Sequence, residues 1–332
     1  MSSPPGTMRL TVHILHDFDD AWLDQLRARL HPEITVTAGK EVTRPVRCDI
    51  LVAGRCERSD LADNPDLRAL IIPWAGLPVS MRELLADFPD LPVHNLHHNA
   101  APAAEIALSL MMAVMKNIVP VDRAFRRHDW RPRYNEEERL LLFEGRTAVV
   151  LGYGAIGKRV ARACDALGMK VQAIRRRPGD GADHYATYHG VGDLRALLPF
   201  ADVLFVTLPL TPETEGMLGR VELALLPDRA TIVNIARGPI VDQRALFDEL
   251  TSGRIRAGLD VWYNYPTDEP SRASTDPADL PFHELDNVVM TPHLGGNSDR
   301  TEALRIAELA DSLNAAATGQ TIPNRVDLSR GY

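Results

Sequence analysis

The string Gly152-Tyr-Gly154-Ala155-Ile156-Gly157 constrains this chain more than any other feature of its sequence. A glycine string of this kind alone is weak, because short glycine patterns arise by chance. Here an apolar run, Thr147–Leu151, precedes it and an amphipathic pattern, Lys158–Leu167, follows. A second apolar run, Lys170–Ile174, comes next, so the glycines lie inside a strand–helix–strand unit, the context that makes them informative. Gly152 allows the tight turn, Gly154 lets a pyrophosphate reach the backbone, and Gly157 lets helix and strand pack closely. The helix N-terminus adds free amides and a partial positive charge. This part of the chain reads as a dinucleotide-binding α/β unit.

A unit that accepts an unphosphorylated ribose places Asp or Glu about 20 residues beyond the glycines to take the hydroxyls. Here the second strand runs out at Ile174 and continues as Arg175, Arg176 and Arg177. A carboxylate would repel a 2′-phosphate, whereas guanidinium pairs with it, often bidentately. The whole chain carries a formal net charge of −8, so three adjacent arginines suggest a waiting anion. The predicted cofactor is NADP(H) in preference to NAD(H). A solvated arginine turn in an NAD enzyme is the competing reading.

Strand-like and helix-like segments alternate almost throughout, which predicts an α/β protein with mainly parallel sheets. At 332 residues the chain is too long for one ordinary domain. Short strands are predicted at Leu10–Leu15, Ile34–Thr37, Ile50–Ala53, Leu70–Ile72 and Val93–Leu96, with a helix at Ala21–Leu30. A long apolar helix, Ala101–Asn117, leads into a charged, irregular stretch from Arg123 to Glu144. Further strands are predicted at Val203–Leu208, Thr231–Ile235, Ala257–Val261 and Val288–Met290, a surface loop at Pro266–Pro281, and a last helix at Arg300–Ala317.

The acidic balance argues against a general nucleic-acid or acidic-membrane surface. No signal peptide and no run of about 18 apolar residues is found. Cys48, Cys56 and Cys164 are too few and too scattered for a disulfide framework or a zinc ribbon. A cytoplasmic protein with reduced thiols is expected. The cluster His94-Asn-Leu-His97-His98 matches no standard zinc spacing, and no metal is expected there. One of these histidines is expected near the ligand beside Asn99, the others to be structural.

Three further stretches carry chemistry. Thr231–Asp242 delivers Arg237 onto a Gly-Pro turn at the end of a buried strand, the edge at which open α/β sheets bind ligands. Leu259-Asp260-Val261 ends the next strand, and Met290-Thr-Pro-His293-Leu-Gly295-Gly296 holds a histidine on a rigid turn. Arginine binds a carboxylate and polarises a carbonyl, and histidine carries the proton that accompanies hydride transfer to or from nicotinamide. Short-chain dehydrogenase chemistry is excluded, since no Tyr lies four residues before Lys40, Lys116, Lys158 or Lys170. A methyltransferase would want an acid where Arg175 stands.

The order GYGAIG, VTLPLTPET (Val206–Thr214), NIARGPIVD (Asn234–Asp242), LDV and TPHLGG resembles that of the D-isomer-specific 2-hydroxyacid dehydrogenases. That family includes phosphoglycerate, glyoxylate/hydroxypyruvate, D-lactate, formate and phosphite dehydrogenases. The resemblance is dense from Asn99 to Ser298 and thinner before. It implies two Rossmann/flavodoxin-like domains with the active site in the cleft between them. A cofactor domain at 101–297 would be inserted into a substrate domain formed by 1–100 and 298–332. By position, Arg237 would be the catalytic substrate-binding arginine, His293 the acid/base, and Asp260 the holder of the nicotinamide carboxamide. Gly152, Gly154, Ala155, Ile156, Gly157, Thr207, Pro209, Thr214, Ile235, Ala236, His293 and Gly295 would line the dinucleotide. The loop Trp74-Ala75-Gly76, with Asn99 and Arg237, would hold the substrate carboxylate. Such enzymes are usually homodimers through the cofactor domain, and the apolar helix Ala101–Asn117 suits that contact.

One position departs from the family. Most relatives place a Glu before a Pro five residues after the aspartate of LDV, where it raises the pKa of the histidine. Here that position is Tyr265, and Glu269-Pro270 comes four residues late. Three arrangements compete: Glu269 swings back to His293, Tyr265 bonds it instead, or the reaction needs little proton transfer. Tyr265 is the preferred neighbour, with Glu269 a solvated loop residue. The expected function is NADP(H)-dependent interconversion of a small 2-keto acid and its D-2-hydroxy acid. The alternatives are a phosphite-type or other atypical donor dehydrogenase, or a nucleotide-sensing corepressor on the same scaffold.

Overall fold

A computed structural model describes residues 8–40, 46–135, 140–177, 179, 181–328 and 330. In chain order the elements begin β1 (Leu10–Ile14), α1 (Asp20–Arg27), β2 (Ile34–Ala38), β3 (Ile50–Val52), α2 (Arg58–Ala62), β4 (Ala69–Ile72), α3 (Val79–Leu85) and β5 (Val93–Asn95). There follow α4 (Ala100–Met115), α5 (Ile118–Phe125), α6 (Arg131–Tyr134), β6 (Thr147–Leu151), α7 (Ala155–Ala166), β7 (Lys170–Ile174), β8 (Thr187–His189), α8 (Leu194–Leu197) and β9 (Val203–Val206). The chain closes with α9 (Arg220–Ala224), β10 (Thr231–Asn234), α10 (Gln243–Thr251), β11 (Arg256–Leu259), β12 (Val288–Met290) and α11 (Thr301–Ala317). It divides into two compact units, residues 1–99 with 298–332, and residues 100–297, one residue earlier than the predicted break.

The first unit is built on a parallel sheet in the order β2-β1-β3-β4-β5. Trp22, Leu26, Ile306, Leu309 and Leu313 from α1 and α11 cover one face, and Leu61, Met81 and Leu85 help cover the other. With both faces dry, strands such as Ile50–Val52 are buried at every position and read as continuous apolar runs. The second unit carries a parallel sheet in the order β12-β11-β10-β9-β6-β7-β8. Its strand pairs are likewise parallel throughout. Leucines of α9 and α10 pack on one face, and α4 with α7 on the other.

Helix α4 packs largely against its own sheet. Ala107, Met111 and Met115 are fully covered inside the second unit, where α4 packs with Val160, Ala161 and Val233. Gly258 on β11 lets it lie close, since a Cβ there would come 2.8 Å from Leu110. Much of the apolar surface of α4 is therefore covered within its own unit, while Met112 stays 37% exposed. Further exposed large apolar residues follow at Ile118, Phe125, Trp130, Leu140 and Leu142. The stretch predicted to be irregular from Arg123 also contains the end of α5 and all of α6. Asn117, at φ 49°, breaks α4, and α5 restarts at once with Pro120 in its first turn, where no amide is missed.

Strands β9, β10 and β11 end one or two residues before their predicted limits, so Thr207, Ile235, Ala236 and Asp260 stand just beyond the strand tips. No single helix among the described residues is long and apolar enough to cross a membrane.

Candidate active site

Chemistry-bearing residues of the second unit collect at the carboxyl edge of its sheet. After β6, Gly152 adopts φ 105°, a conformation that costs glycine little and a side chain much. Gly157 is compelled by proximity, because a Cβ there would lie 2.0 Å from the Gly152 carbonyl oxygen. Around Gly154 there is open space, with nothing within 4 Å of where a Cβ would stand. Gly154 is also the N-cap of α7 and offers no side-chain cap, so the first amides of the helix stay free for an anion. Ala155 and Ile156 form that first turn and are half-buried. Thr207, past β9, donates its hydroxyl to the Gly152 carbonyl at 2.6 Å and ties the two strand tips together. This backbone fits a dinucleotide phosphate: one glycine seals the turn, and another leaves the approach clear.

Other residues that the resemblance assigns to the dinucleotide hold the neighbouring loops. The Thr214 hydroxyl donates to the Pro209 carbonyl at 2.7 Å and accepts the Thr211 amide at 2.8 Å, closing the turn after β9. Thr214, Ile235 and Ala236 are buried, so their side chains serve the packing of those turns. Arg175 follows β7 half-buried, and Arg176 and Arg177 are exposed. The Arg175 guanidinium lies over the ring of Tyr188, 4.8 Å from its centroid.

Arg237 stands exposed on the turn after β10. Asn234 shapes that turn from both sides: its Oδ1 accepts the Ala236 amide at 3.0 Å, and its Nδ2 donates to the Arg237 carbonyl at 3.0 Å. Gly238 lets the turn press on the next strand tip, since a Cβ there would come 2.3 Å from the Trp262 carbonyl oxygen. Arg237 donates to the Ala236 carbonyl at 2.6 Å, and no carboxylate among the described residues forms an ion pair with it.

Asp260 is fully buried, and its carboxylate organises the loop that carries the histidine. Oδ1 accepts the Thr291 hydroxyl at 2.6 Å and the Leu294 amide at 2.7 Å, while Oδ2 accepts the Gly295 amide at 2.8 Å. The resemblance assigns Asp260 to the nicotinamide carboxamide; in the structure its first occupation is this internal one. Three donors from Thr291 to Gly295 clamp the turn on either side of His293, which itself sits at φ 57°. Surrounding bulk lowers the pKa of His293, the Arg237 guanidinium lowers it further, and Asp260 opposes both. Arg237, Asp260 and His293 are thus brought within electrostatic reach of one another.

Tyr265 joins them. Its ring meets that of His293 edge-on, and its hydroxyl accepts the Trp262 amide at 3.2 Å. Tyr265 thus neighbours His293 through a ring contact, and not through the hydrogen bond that was one of the alternatives. Glu269, offered as a catalytic residue, is not brought to His293. Its side chain is 85% exposed, 3.6 Å from Arg272, at the start of the short turn Pro270–Ala273. Three prolines in the surrounding loop, Pro266, Pro270 and Pro277, hold it in turns of its own.

In the first unit, Trp74 is partly exposed and Ala75 and Gly76 half-buried after β4. Asn95 donates to the Ala75 carbonyl at 2.6 Å and fixes the loop. Asn99 ends this unit with its amide oxygen buried and unbonded among the described residues. Gly54 admits the Trp74 ring, which would overlap any Cβ there. Two of the neighbouring histidines serve structure. His94 bonds the Pro323 carbonyl at 2.8 Å, and His98, pushed down to about 4 by burial, Arg305 and His97, accepts from Arg305 at 3.4 Å. No metal-binding group of His, Cys, Asp or Glu occurs among the described residues. Sequence reasoning missed Asn95 and Asn234. The only hint of Asn234 is a lone amide ending the apolar strand TIVN.

Residues 108–295 match the family description "D-isomer specific 2-hydroxyacid dehydrogenase, NAD binding domain". Glyoxylate/hydroxypyruvate reductase B of Pectobacterium atrosepticum is 32% identical over 314 residues, covering 92% of this chain and 95% of that protein. D-3-phosphoglycerate dehydrogenase of Mycobacterium bovis is 36% identical over 244 residues, covering 72% of this chain. The chain spans only 42% of the length of that relative. The crystal structure of a D-isomer specific 2-hydroxyacid dehydrogenase from Xanthobacter autotrophicus Py2, in complex with NADPH and MES, superposes with a TM-score of 0.79 at 27% identity. That match covers 98% of this chain and 100% of the other.

Proposed function

The chain belongs to the D-isomer-specific 2-hydroxyacid dehydrogenase family, and on that premise we propose that it interconverts a small 2-keto acid and its D-2-hydroxy acid with NADP(H). The observation that carries this reading is Arg237, exposed and unmatched by a carboxylate among the described residues, within electrostatic reach of His293 at one sheet edge. A guanidinium so placed binds the substrate carboxylate and polarises the adjoining carbonyl. His293 gives a proton to the keto oxygen in reduction and takes it back in oxidation.

Bound in the glycine cradle, the cofactor supplies hydride chemistry. Two observations support NADP(H) over NAD(H): Arg175 takes the position at which an NAD site wants an acid, and the Xanthobacter relative holds NADPH. The lowered pKa of His293 makes its protonated form the stronger acid, which suits reduction. Exposed Ile118, Phe125, Trp130, Leu140 and Leu142 support self-association through the second unit, which sedimentation would test.

The test is nucleotide oxidation with glyoxylate, hydroxypyruvate, bulkier 2-keto acids and a phosphite control. Turnover of a keto acid with NADPH, at higher kcat/KM than with NADH, is expected. Preference for NADH refutes the cofactor assignment. Turnover of phosphite alone, or nucleotide binding without turnover of any substrate, refutes the reaction.

A further inference from the structure

Arg175 does not stand alone at the tip of β7. The adjoining strand β8 pairs with β7 in parallel, with Ala173 opposite Tyr188. The Tyr188 ring is the platform beneath the Arg175 guanidinium, 4.8 Å from centroid to Cζ. Tyr188 in turn leans on Tyr153, the residue between the first two glycines of the cradle, with ring centroids 5.2 Å apart. The Tyr153 hydroxyl donates to Asp183 Oδ2 at 2.7 Å. Asp183 Oδ1 accepts the amides of Tyr185 and Ala186 at 2.8 and 2.9 Å, which fixes the turn leading into β8. Burial opposes the charge of Asp183, but hydrogen bonds from Tyr153, Tyr188 and these amides hold its pKa at about 2.

An acid this near the arginines could take ribose hydroxyls and favour an unphosphorylated nucleotide. Its oxygens are instead committed to Tyr153 and to the turn. A free arginine side chain must give up rotamer freedom to grip an anion, and one already stacked on an aromatic face gives up less. Arg175, the first arginine past the strand tip, lies over such a ring.

We propose that Tyr188 is a positioning residue for nucleotide selectivity, holding Arg175 ready for the 2′-phosphate, with Tyr153 and Asp183 fixing the strand that carries it. This rests on the NADP(H) reading. The network links the phosphate cradle to the arginine tip, so both ends of the adenosine phosphate site are set by one glycine-flanked tyrosine.

The test is calorimetric titration of the full chain, free of nucleotide, with 2′,5′-ADP and with 5′-AMP. Tyr188→Leu is expected to weaken 2′,5′-ADP binding about three- to tenfold, the range for losing a cation–π contact, and to leave 5′-AMP binding as it was. Tyr188→Phe keeps the ring face but gives up the hydroxyl's bond to Asp183, so it is expected to bind 5′-AMP like the parent and to lose less 2′,5′-ADP affinity than Tyr188→Leu. Tyr153→Phe, which releases Asp183, is expected to shift binding in the same direction by less. Tyr188→Leu binding 2′,5′-ADP as tightly as the parent, while Arg175→Ala loses it, overturns the inference and leaves the NADP(H) reading intact. Equal weakening of both ligands in Tyr188→Leu, or unaltered selectivity in Tyr153→Phe where the leucine variant does not fold, overturns it as well. A parent that binds 5′-AMP as tightly as 2′,5′-ADP removes the NADP(H) reading and the inference with it.

Discussion

The ring of Tyr265 meets the imidazole of His293 at an interplanar angle of 61°, with centroids 5.6 Å apart, and no carboxylate of the loop reaches that histidine. The surrounding bulk and Arg237 hold the imidazole below its usual pKa, against the pull of Asp260. Reduction needs the protonated ring, so its rate is expected to fall as pH rises through that lowered pKa. Oxidation needs the neutral ring and is expected to hold up above it. Tyr265→Glu sets a carboxylate beside the imidazole, stabilises imidazolium, and moves the reduction limb to higher pH. The measurement is the pH dependence of kcat/KM for keto-acid reduction in both proteins. A limb at the same pH in both sinks the assignment of His293.

Glu269 and Tyr265 are separated by single replacements. Glu269 is exposed and, among the described residues, paired with Arg272 alone, a contact of the kind worth about 0–1 kcal/mol, so Glu269→Gln is expected to leave turnover within about twofold. Tyr265→Phe removes the acceptor of the Trp262 amide and is expected to lower stability by about 1 kcal/mol and turnover several-fold. Steady-state kinetics and thermal melts read both. A large loss in Glu269→Gln with none in Tyr265→Phe would reverse the roles.

Asp260 is the residue on which the His293 turn depends. Asn at this position keeps one acceptor oxygen and sets an NH2 group among donors already in place, the amides of Leu294 and Gly295 and the Thr291 hydroxyl. At least one buried amide loses its partner, at a cost of about 1–3 kcal/mol. Asp260→Asn is therefore expected to lower the melting temperature and cut kcat at least about tenfold, an effect on the chemistry that loosening the histidine would produce. A variant with parental kcat would show that the turn holds its shape without the carboxylate.

What could be read from the sequence was what local spacing dictates. Gly152, Gly154 and Gly157 announce their tasks because a tight turn, a phosphate approach and a helix–strand contact each forbid a side chain at a fixed interval. Arg175 was readable for the same reason, as a substitution at a counted position. Strands β6, β7 and β12 were bounded correctly because apolar runs end where polar groups begin. The pins were not readable. Asn95 reaches Ala75 across 20 positions, Asp260 reaches Gly295 across 35, and Tyr153 reaches Asp183 across 30. Such contacts depend on which strand tips the sheet order brings together, and no local spacing encodes that. The neighbours of helix α4 were not readable for the opposite reason: an apolar surface looks the same whether a partner or its own sheet covers it.

The second and third glycines of the cradle permit a sharper separation of folding from binding. A methyl at Gly157 would lie 2.0 Å from the Gly152 carbonyl oxygen and 3.1 Å from the Thr207 hydroxyl, so α7 must shift away from β6. Overpacking of that kind costs about 1–3 kcal/mol, and the shift also misplaces the helix amides. Gly154 has φ −91°, which any residue tolerates, and open space where its Cβ would go. Gly157→Ala is therefore expected to lose both melting temperature and NADPH binding. Gly154→Ala is expected to keep its melting temperature and lose NADPH binding, because the methyl fills the approach a phosphate needs. Thermal melts with and without NADPH distinguish the two, since only a protein that binds nucleotide gains temperature from it. If Gly154→Ala were stabilised by NADPH as fully as the parent, the space above that glycine would not be where the phosphates lie.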